Sequence, residues 1–131
     1  MTLKIKSLQR VNPRDLTAPR KYYATAVADG SADLEELAEM VASQSTVSRA
    51  DCYAVLIALE SNIVRMLRVS KIVRLGNLGS FQIAVKSEGK DTSEEVTANA
   101  VKGSRIKFRP GKAFRQMLKT LEFTKIQDQV T

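Results

Sequence analysis

Apolar and polar positions along this chain switch period several times, and each switch marks an element. Leu3 and Ile5 alternate with Lys4 and Lys6, which predicts a short strand over Thr2 to Leu8. Tyr22-Tyr23-Ala24-Thr25-Ala26-Val27 is strand-like and ends at the turn signal Asp29-Gly30. The period then lengthens: Leu34, Leu37, Ala38 and Val41 fall at helical spacing, in a helix beginning near Ser31 or Asp33 with Glu35 and Glu36 at its positive end. A second helix starts at Ser48, whose hydroxyl is placed to cap the amide of Asp51 while Asp51 bonds back and Val47 staples against Cys52, and it runs to about Leu67 or Val69.

This second helix is apolar on more than one side. Ala50, Ala54, Ile57, Ala58 and Val64 form one stripe, and Val55, Leu56, Leu59, Ile63, Met66 and Leu67 widen it. Such a helix needs covering from two directions. Burial between the first helix and the sheet of the same chain is one solution; the scarcity of other elements favours burial in a homodimer.

From Ile72 the period returns to two. Strand Ile72 to Leu75 turns through Gly76-Asn77-Leu78-Gly79 into a strand from Ser80 to about Lys86, with Phe81, Ile83 and Val85 on one face and Ser80, Gln82, Ala84 and Lys86 on the other. After a polar, turn-prone excursion from Ser87 to Gly103, Arg105 to Arg109 alternates again, Ile106 and Phe108 inward, Arg105, Lys107 and Arg109 outward. Pro110-Gly111 leads into a last helix, Lys112 to about Leu121, striped by Phe114, Met117, Leu118 and Leu121. Residues 122–131 read as a frayed or loosely docked tail.

Charge adds a partner class. The 131 residues carry 21 Lys and Arg against 14 Asp and Glu, a net charge of +7. A basic balance of this size suits a polyanion, since each neutralised phosphate releases condensed counterions. Residues 1–21 contribute Lys4, Lys6, Arg10, Arg14, Arg20 and Lys21 against Asp15 alone. With no His and a single Cys, the chain has no means of building a zinc site, a Ser/His or Cys/His pair, or a disulfide framework. Cys52, inside the second helix, reads as a small buried hydrophobe. No apolar run is long enough for a signal peptide or a bilayer span, which leads to the expectation of a cytoplasmic protein.

At Pro110-Gly111 the proline removes a donor the strand cannot use, glycine allows close backbone approach to a ligand, and the following amides open a helix N-terminus suited to phosphate, ringed by Arg109, Lys112 and Arg115. The plainer account is a strand-to-helix turn with solvated charges around it.

Two segments, VRLGNLGSF at 73–81 and FRPGKAF at 108–114, together with the order of elements from Asp33 to Leu121, resemble the HU/IHF family of bacterial histone-like nucleoid proteins. The resemblance implies an α+β fold of the IHF/HU-like type: two N-terminal helices, a three-stranded antiparallel sheet with a β-arm excursion, and a C-terminal helix, in an intertwined homodimer. Residues 1–30 are then a basic N-terminal extension with short strands and residues 31–131 the HU-like DNA-binding domain. In the family, paired arms rich in Arg grip bent DNA, and an Arg-Asn-Pro tip wedges between base pairs. Here the excursion SEGKDTSEEVTANAVKG has no Pro, Arg or aromatic residue and carries Glu88, Asp91, Glu94 and Glu95 against Lys90 and Lys102. An Asn-Pro pair does occur, at Asn12-Pro13, outside the matching region.

The expectation is a non-enzymatic, histone-like nucleoid protein that binds double-stranded DNA without sequence preference through its phosphates. Its contacts are Lys86, Arg105, Lys107, Arg109, Gly111, Lys112 and Arg115, with Lys102 and Arg74 as lesser ones. No cofactor, membrane or small-molecule substrate is expected. The alternative is an HU-like protein-interaction or assembly module with weak or lost DNA binding, in which the strand Tyr22 to Val27 offers an edge to a partner. An enzyme is the remote reading, because the excursion's carboxylates lack a cation-clustering spacing or a basic partner.

Overall fold

The computed structural model describes residues 1–127. It has three helices and two three-stranded sheets, in the order β1 (Leu3–Arg10), β2 (Lys21–Ala26), α1 (Leu34–Ser43), α2 (Arg49–Arg68), β3 (Val73–Arg74), β4 (Gly79–Ser87), β5 (Val101–Pro110), α3 (Lys112–Thr120) and β6 (Phe123–Lys125). The chain divides into two compact units, Asp33–Met117 and a second made of Met1–Ala32 with the segment from Leu118 onward.

In the Asp33–Met117 unit, both helix starts are capped by a side chain, Ser48 as expected and Asp33 in addition. The Glu36 amide donates to Asp33 Oδ1 at 2.9 Å, and the Asp51 amide donates to Ser48 Oγ at 3.2 Å. Each side chain satisfies an amide that the first turn leaves without a partner. Cys52 is buried, as its helical position suggested. α2 ends in a Schellman arrangement, the Ser70 amide donating to Leu67 O and the Lys71 amide to Met66 O, with Ser70 at φ 66° in the place glycine usually takes.

The sheet of this unit is antiparallel in the order β3-β4-β5, and α2 packs against β3 and β4. At its corner the Leu75 amide donates to Gly79 O at 2.8 Å, and positive φ at Gly76 (57°) and Gly79 (143°) turns the chain. Both long strands exceed their sequence estimates. β5 begins at Val101 rather than Arg105: Ser104 and Gly103 continue the register opposite Val85 and Lys86, and a bulge between Lys86 and Ser87 then lets Ser87 pair Val101.

The excursion between these strands is not an extended arm. It closes at its base through the Glu88 amide to Ala100 O at 2.9 Å, and carries two 3-10 turns, Ser93–Glu95 and Ala98–Ala100, with Ala100 buried. Glu88 has basic partners after all: its carboxylate accepts from Lys90 at 3.2 Å and pairs with Lys102 at 3.3 Å, a clamp across the ribbon's mouth.

In the other unit, β1 pairs antiparallel with β2 from Ile5↔Ala26 to Arg10↔Lys21, and parallel with β6 from Leu3↔Phe123 to Ile5↔Lys125. Of the two expectations for the tail, frayed or loosely docked, docking holds for residues 122–127. The Leu3 amide donates to Glu122 O at 2.7 Å and the Ile126 amide to Ile5 O at 2.9 Å, so backbone bonds to β1 hold a segment with little apolar periodicity of its own. The remainder of that tail, 128–131, lies outside the described residues.

Candidate nucleic-acid interface

The register of β3-β4-β5 sorts the side chains into two faces of opposite chemistry. On one, Val73, Phe81 and Phe108 form a row and Ile83 pairs Ile106. The rings of Phe81 and Phe108 lie 5.0 Å apart between centroids, and Phe114 of α3 meets Phe108 edge-on at 6.1 Å. On the other, Arg74, Ser80 and Arg109 form the first row, Gln82 pairs Lys107, Ala84 pairs Arg105, and Lys86 faces Gly103.

This second face is a one-sign field. Among the described residues no carboxylate pairs with Arg74, Lys86, Arg105, Lys107 or Arg109. Arg105, Lys107 and Arg109 stand about 6.8 Å apart along their strand, twice the roughly 3.4 Å axial rise per phosphate of a DNA strand. In water each adjacent pair repels by only about 0.6 kcal/mol, so solvated cations remain there without a partner, and an arriving polyanion relieves the repulsion. A hollow of about 300 Å³ opens on this face, lined by Arg74, Ser80, Gln82, Lys107 and Arg109 with Ile72, Phe108 and Pro110. Arg74, a lesser choice from the sequence alone, thus stands beside Arg109; the intervening Ser80 is what brings the two strands' cations into one row. Lys102, the other lesser choice, has its ammonium engaged by Glu88.

The Pro110-Gly111 junction is differently occupied from the sequence reading. The Gly111 amide donates to Leu78 O at 2.8 Å and the Ala113 amide to Asn77 O at 3.1 Å, while the Arg115 amide donates to Gly111 O at 3.0 Å. Gly111's missing Cβ makes room for the Asn77 carbonyl and the Gly79 amide, so the close approach it permits is to the chain's own corner. Two of the amides that a phosphate would use at the start of α3, those of Gly111 and Ala113, are satisfied by that corner. The side-chain charges of Lys112 and Arg115, both exposed, stand at the same place.

A family model described as an HU domain fused to a wHTH, Ig or glycine-rich motif matches residues 1–125. The chain belongs to this HU-HIG family. Its match extends through β1 and β2, so the N-terminal strands are included in what the family shares. No curated protein matches the chain. Among solved structures, a protein of Bacteroides vulgatus with an inferred assignment as a bacterial DNA-binding protein is similar over all of this chain, at 17% identity and a TM-score of 0.67; the HU-HIG chain spans about half, 51%, of that protein's length. HU from Anabaena, crystallised with DNA, is similar at 22% identity and a TM-score of 0.54, over 68% of this chain and 99% of its own. At these identities the likeness is one of fold, and it places an HU-like body within this chain.

Proposed function

We propose that this protein is a homodimeric, non-enzymatic, histone-like DNA-binding protein that holds duplex DNA by its phosphates, without base readout, on the basic face of β3-β4-β5. In this reading residues 31–131 hold the DNA-binding domain and residues 1–30 are an addition to it. The observation that carries the proposal is the register that collects Arg74, Lys86, Arg105, Lys107 and Arg109 on one face with no acidic partner among the described residues. Lys112 and Arg115 extend the field, and Gly111 serves by holding the corner that positions them. Association with the nucleoid follows from the same chemistry, since phosphate-directed binding does not discriminate among sequences.

Dimerisation is supported by how little the chain buries. Its accessible surface is 11529 Å², against about 6,900 Å² for a self-contained protein of its mass and about 8,300 Å² for two separate units of half that mass. The apolar sheet face remains open, with Ile83 39%, Val85 62%, Ile106 61% and Phe108 45% exposed, and α2 leaves Val55, Leu59 and Val64 uncovered. An excess of roughly 3,000 Å² per chain is about 6,000 Å² for a pair, enough to supply the roughly 2,000–5,000 Å² in total that an obligate dimer removes.

The test is fluorescence anisotropy of the purified protein with a short random-sequence duplex and a nicked or bent one, over a salt series. Sub-micromolar binding with log affinity falling steeply against log salt is the expected result, and an Arg109→Ala/Lys112→Ala variant loses about two from the slope. Absence of salt-dependent binding at low ionic strength rejects the proposal in favour of the protein-assembly reading. A variant with unchanged slope removes those two residues from the site.

A further inference from the structure

A second concentration of unbalanced positive charge lies at the loop end of the β1–β2 hairpin. Met1–Ala32 contains six Lys and Arg and two Asp, and both carboxylates are already engaged. Asp29 pairs with Lys4 at 2.6 Å, and Asp15 Oδ1 accepts from the Thr17 amide at 3.0 Å and the Thr17 hydroxyl at 2.6 Å. Lys6, Arg10, Arg14, Arg20 and Lys21 are left without a carboxylate partner among the described residues.

These cations are arranged by ordered backbone. Pairing of Leu8 with Tyr23 and of Arg10 with Lys21 puts Lys6, Arg10, Lys21 and Tyr23 on one face of the hairpin. Arg10 lies over the Tyr23 ring at 5.8 Å, which holds its guanidinium without neutralising it. The loop beyond is folded on itself: the Arg14 amide donates to Asn12 Oδ1 at 2.9 Å, the Asp15 amide to Asn12 O at 3.2 Å and the Ala18 amide to Asp15 O at 3.2 Å. Pro13 and Pro19 restrict the chain on either side of these turns. Loop and strand ends border a hollow of about 650 Å³ lined by Arg10, Asn12, Pro13, Pro19, Lys21 and Tyr23 among others.

We infer that this hairpin end is a second DNA-contacting surface, in which Lys6, Arg10, Arg14, Arg20 and Lys21 take phosphates of a duplex. The inference rests on the DNA-binding reading above and assigns it a separate place in the chain. From Lys6 to Arg10 alone the strand spans about 13 Å, and the loop adds two further guanidinium groups. That spread suits a line of phosphates rather than one small anion. Three of the four contacts after Lys6 are Arg, whose planar fork matches phosphate oxygens in pairs. Because turns and prolines already order the loop, binding pays little conformational entropy.

The experiment uses the whole chain and the salt series described above. Arg14→Ala/Arg20→Ala is chosen because neither side chain takes part in the loop's own bonds. Its slope of log affinity against log salt should fall by about two, and Arg14→Lys/Arg20→Lys should restore most of it. A double-alanine variant with the wild-type slope overturns the inference while leaving the sheet-face reading standing, provided Arg109→Ala/Lys112→Ala still lowers the slope. No salt-dependent binding by the wild type overturns both. As a readout independent of folding energetics, a benzophenone attached at Leu16→Cys in a Cys52→Ala background should crosslink to the duplex, since Leu16 at the loop is 80% exposed. Failure to crosslink under conditions where the wild type is saturated with DNA counts against the hairpin as a contact.

Discussion

At Gly79 and Gly111 an added Cβ would collide with backbone, with the Arg109 carbonyl in the first case and the Asn77 carbonyl in the second. Neither neighbour is a flexible side-chain tip that could swing away. Gly111→Ala is therefore expected to destabilise by about 2 kcal/mol or more, the range of overpacking against a site that cannot relax. Gly89→Ala, where a Cβ meets nothing within 4 Å, should be neutral or slightly stabilising. Urea melts of the two variants check the contrast. A second residue-scale expectation concerns acid. Hydrogen bonds from the Thr17 hydroxyl and amide hold the Asp15 carboxyl below its ordinary 3.8. Its folded value is depressed, so its contribution is present above the unfolded value and lost as pH falls through the folded one. Asp15→Asn should lower the thermal midpoint at pH 7, and the gap should narrow as pH falls through the depressed folded value and the wild-type carboxyl takes up its proton. A gap that does not narrow on acidification contradicts that assignment.

Among elements, the β4–β5 ribbon decides most of the proposed chemistry. Period-2 alternation sends Arg105, Lys107 and Arg109 to one face and Ile106 and Phe108 to the other, and the cross-strand register sets the apolar pair against Ile83 and Phe81 and the cations against uncharged Ala84, Gln82 and Ser80. The faces then have separable readouts. Arg105→Ala and Lys107→Ala should each lower the salt slope of DNA binding by about one. Lys90→Ala should leave it nearly unchanged, because that ammonium is bound to Glu88 in the clamp at the ribbon's mouth. A Lys90→Ala effect equal to that of Lys107→Ala would show that the excursion contacts DNA despite its carboxylates. The excursion was readable as polar and turn-prone from its composition. Its compact 3-10 turns were not, because they depend on the Glu88–Ala100 backbone bond and the burial of Ala100, which local propensity does not encode.

At the scale of the whole molecule, the open apolar surfaces of β3-β4-β5 and α2 carry the homodimer proposal. Sedimentation equilibrium should return twice the 14.5 kDa chain mass. Ile106→Glu, which puts a charge on the apolar sheet face, should shift the population to monomer or to unfolded chain, since an unpaired buried charge is destabilising by several kcal/mol. A monomeric wild type at micromolar concentration would refute the proposed dimer and leave the exposed Ile106, Val85 and Phe108 without an account.

Repeat periods, caps and charge along the chain were sufficient for the helices, the strands β1 to β5 and the outward set Arg105, Lys107 and Arg109, because each of these depends on residues a few positions apart. Ser48 caps the helix that follows it, and alternation assigns strand faces without knowledge of the partner strand. Three features needed the folded chain. β6 joins β1 through backbone bonds between segments roughly 120 residues apart, with no side-chain pattern to announce it. Arg74 stands with Arg109 only once Ser80 of β4 pairs with both. At the start of α3, open to phosphate when read along the sequence, the Gly111 and Ala113 amides are taken by Leu78 and Asn77 carbonyls from the sheet corner. Hydrogen-bond partners that lie far apart along the chain are decided by three-dimensional register, and an amide's availability to a ligand is settled by whichever acceptor the fold brings to it first.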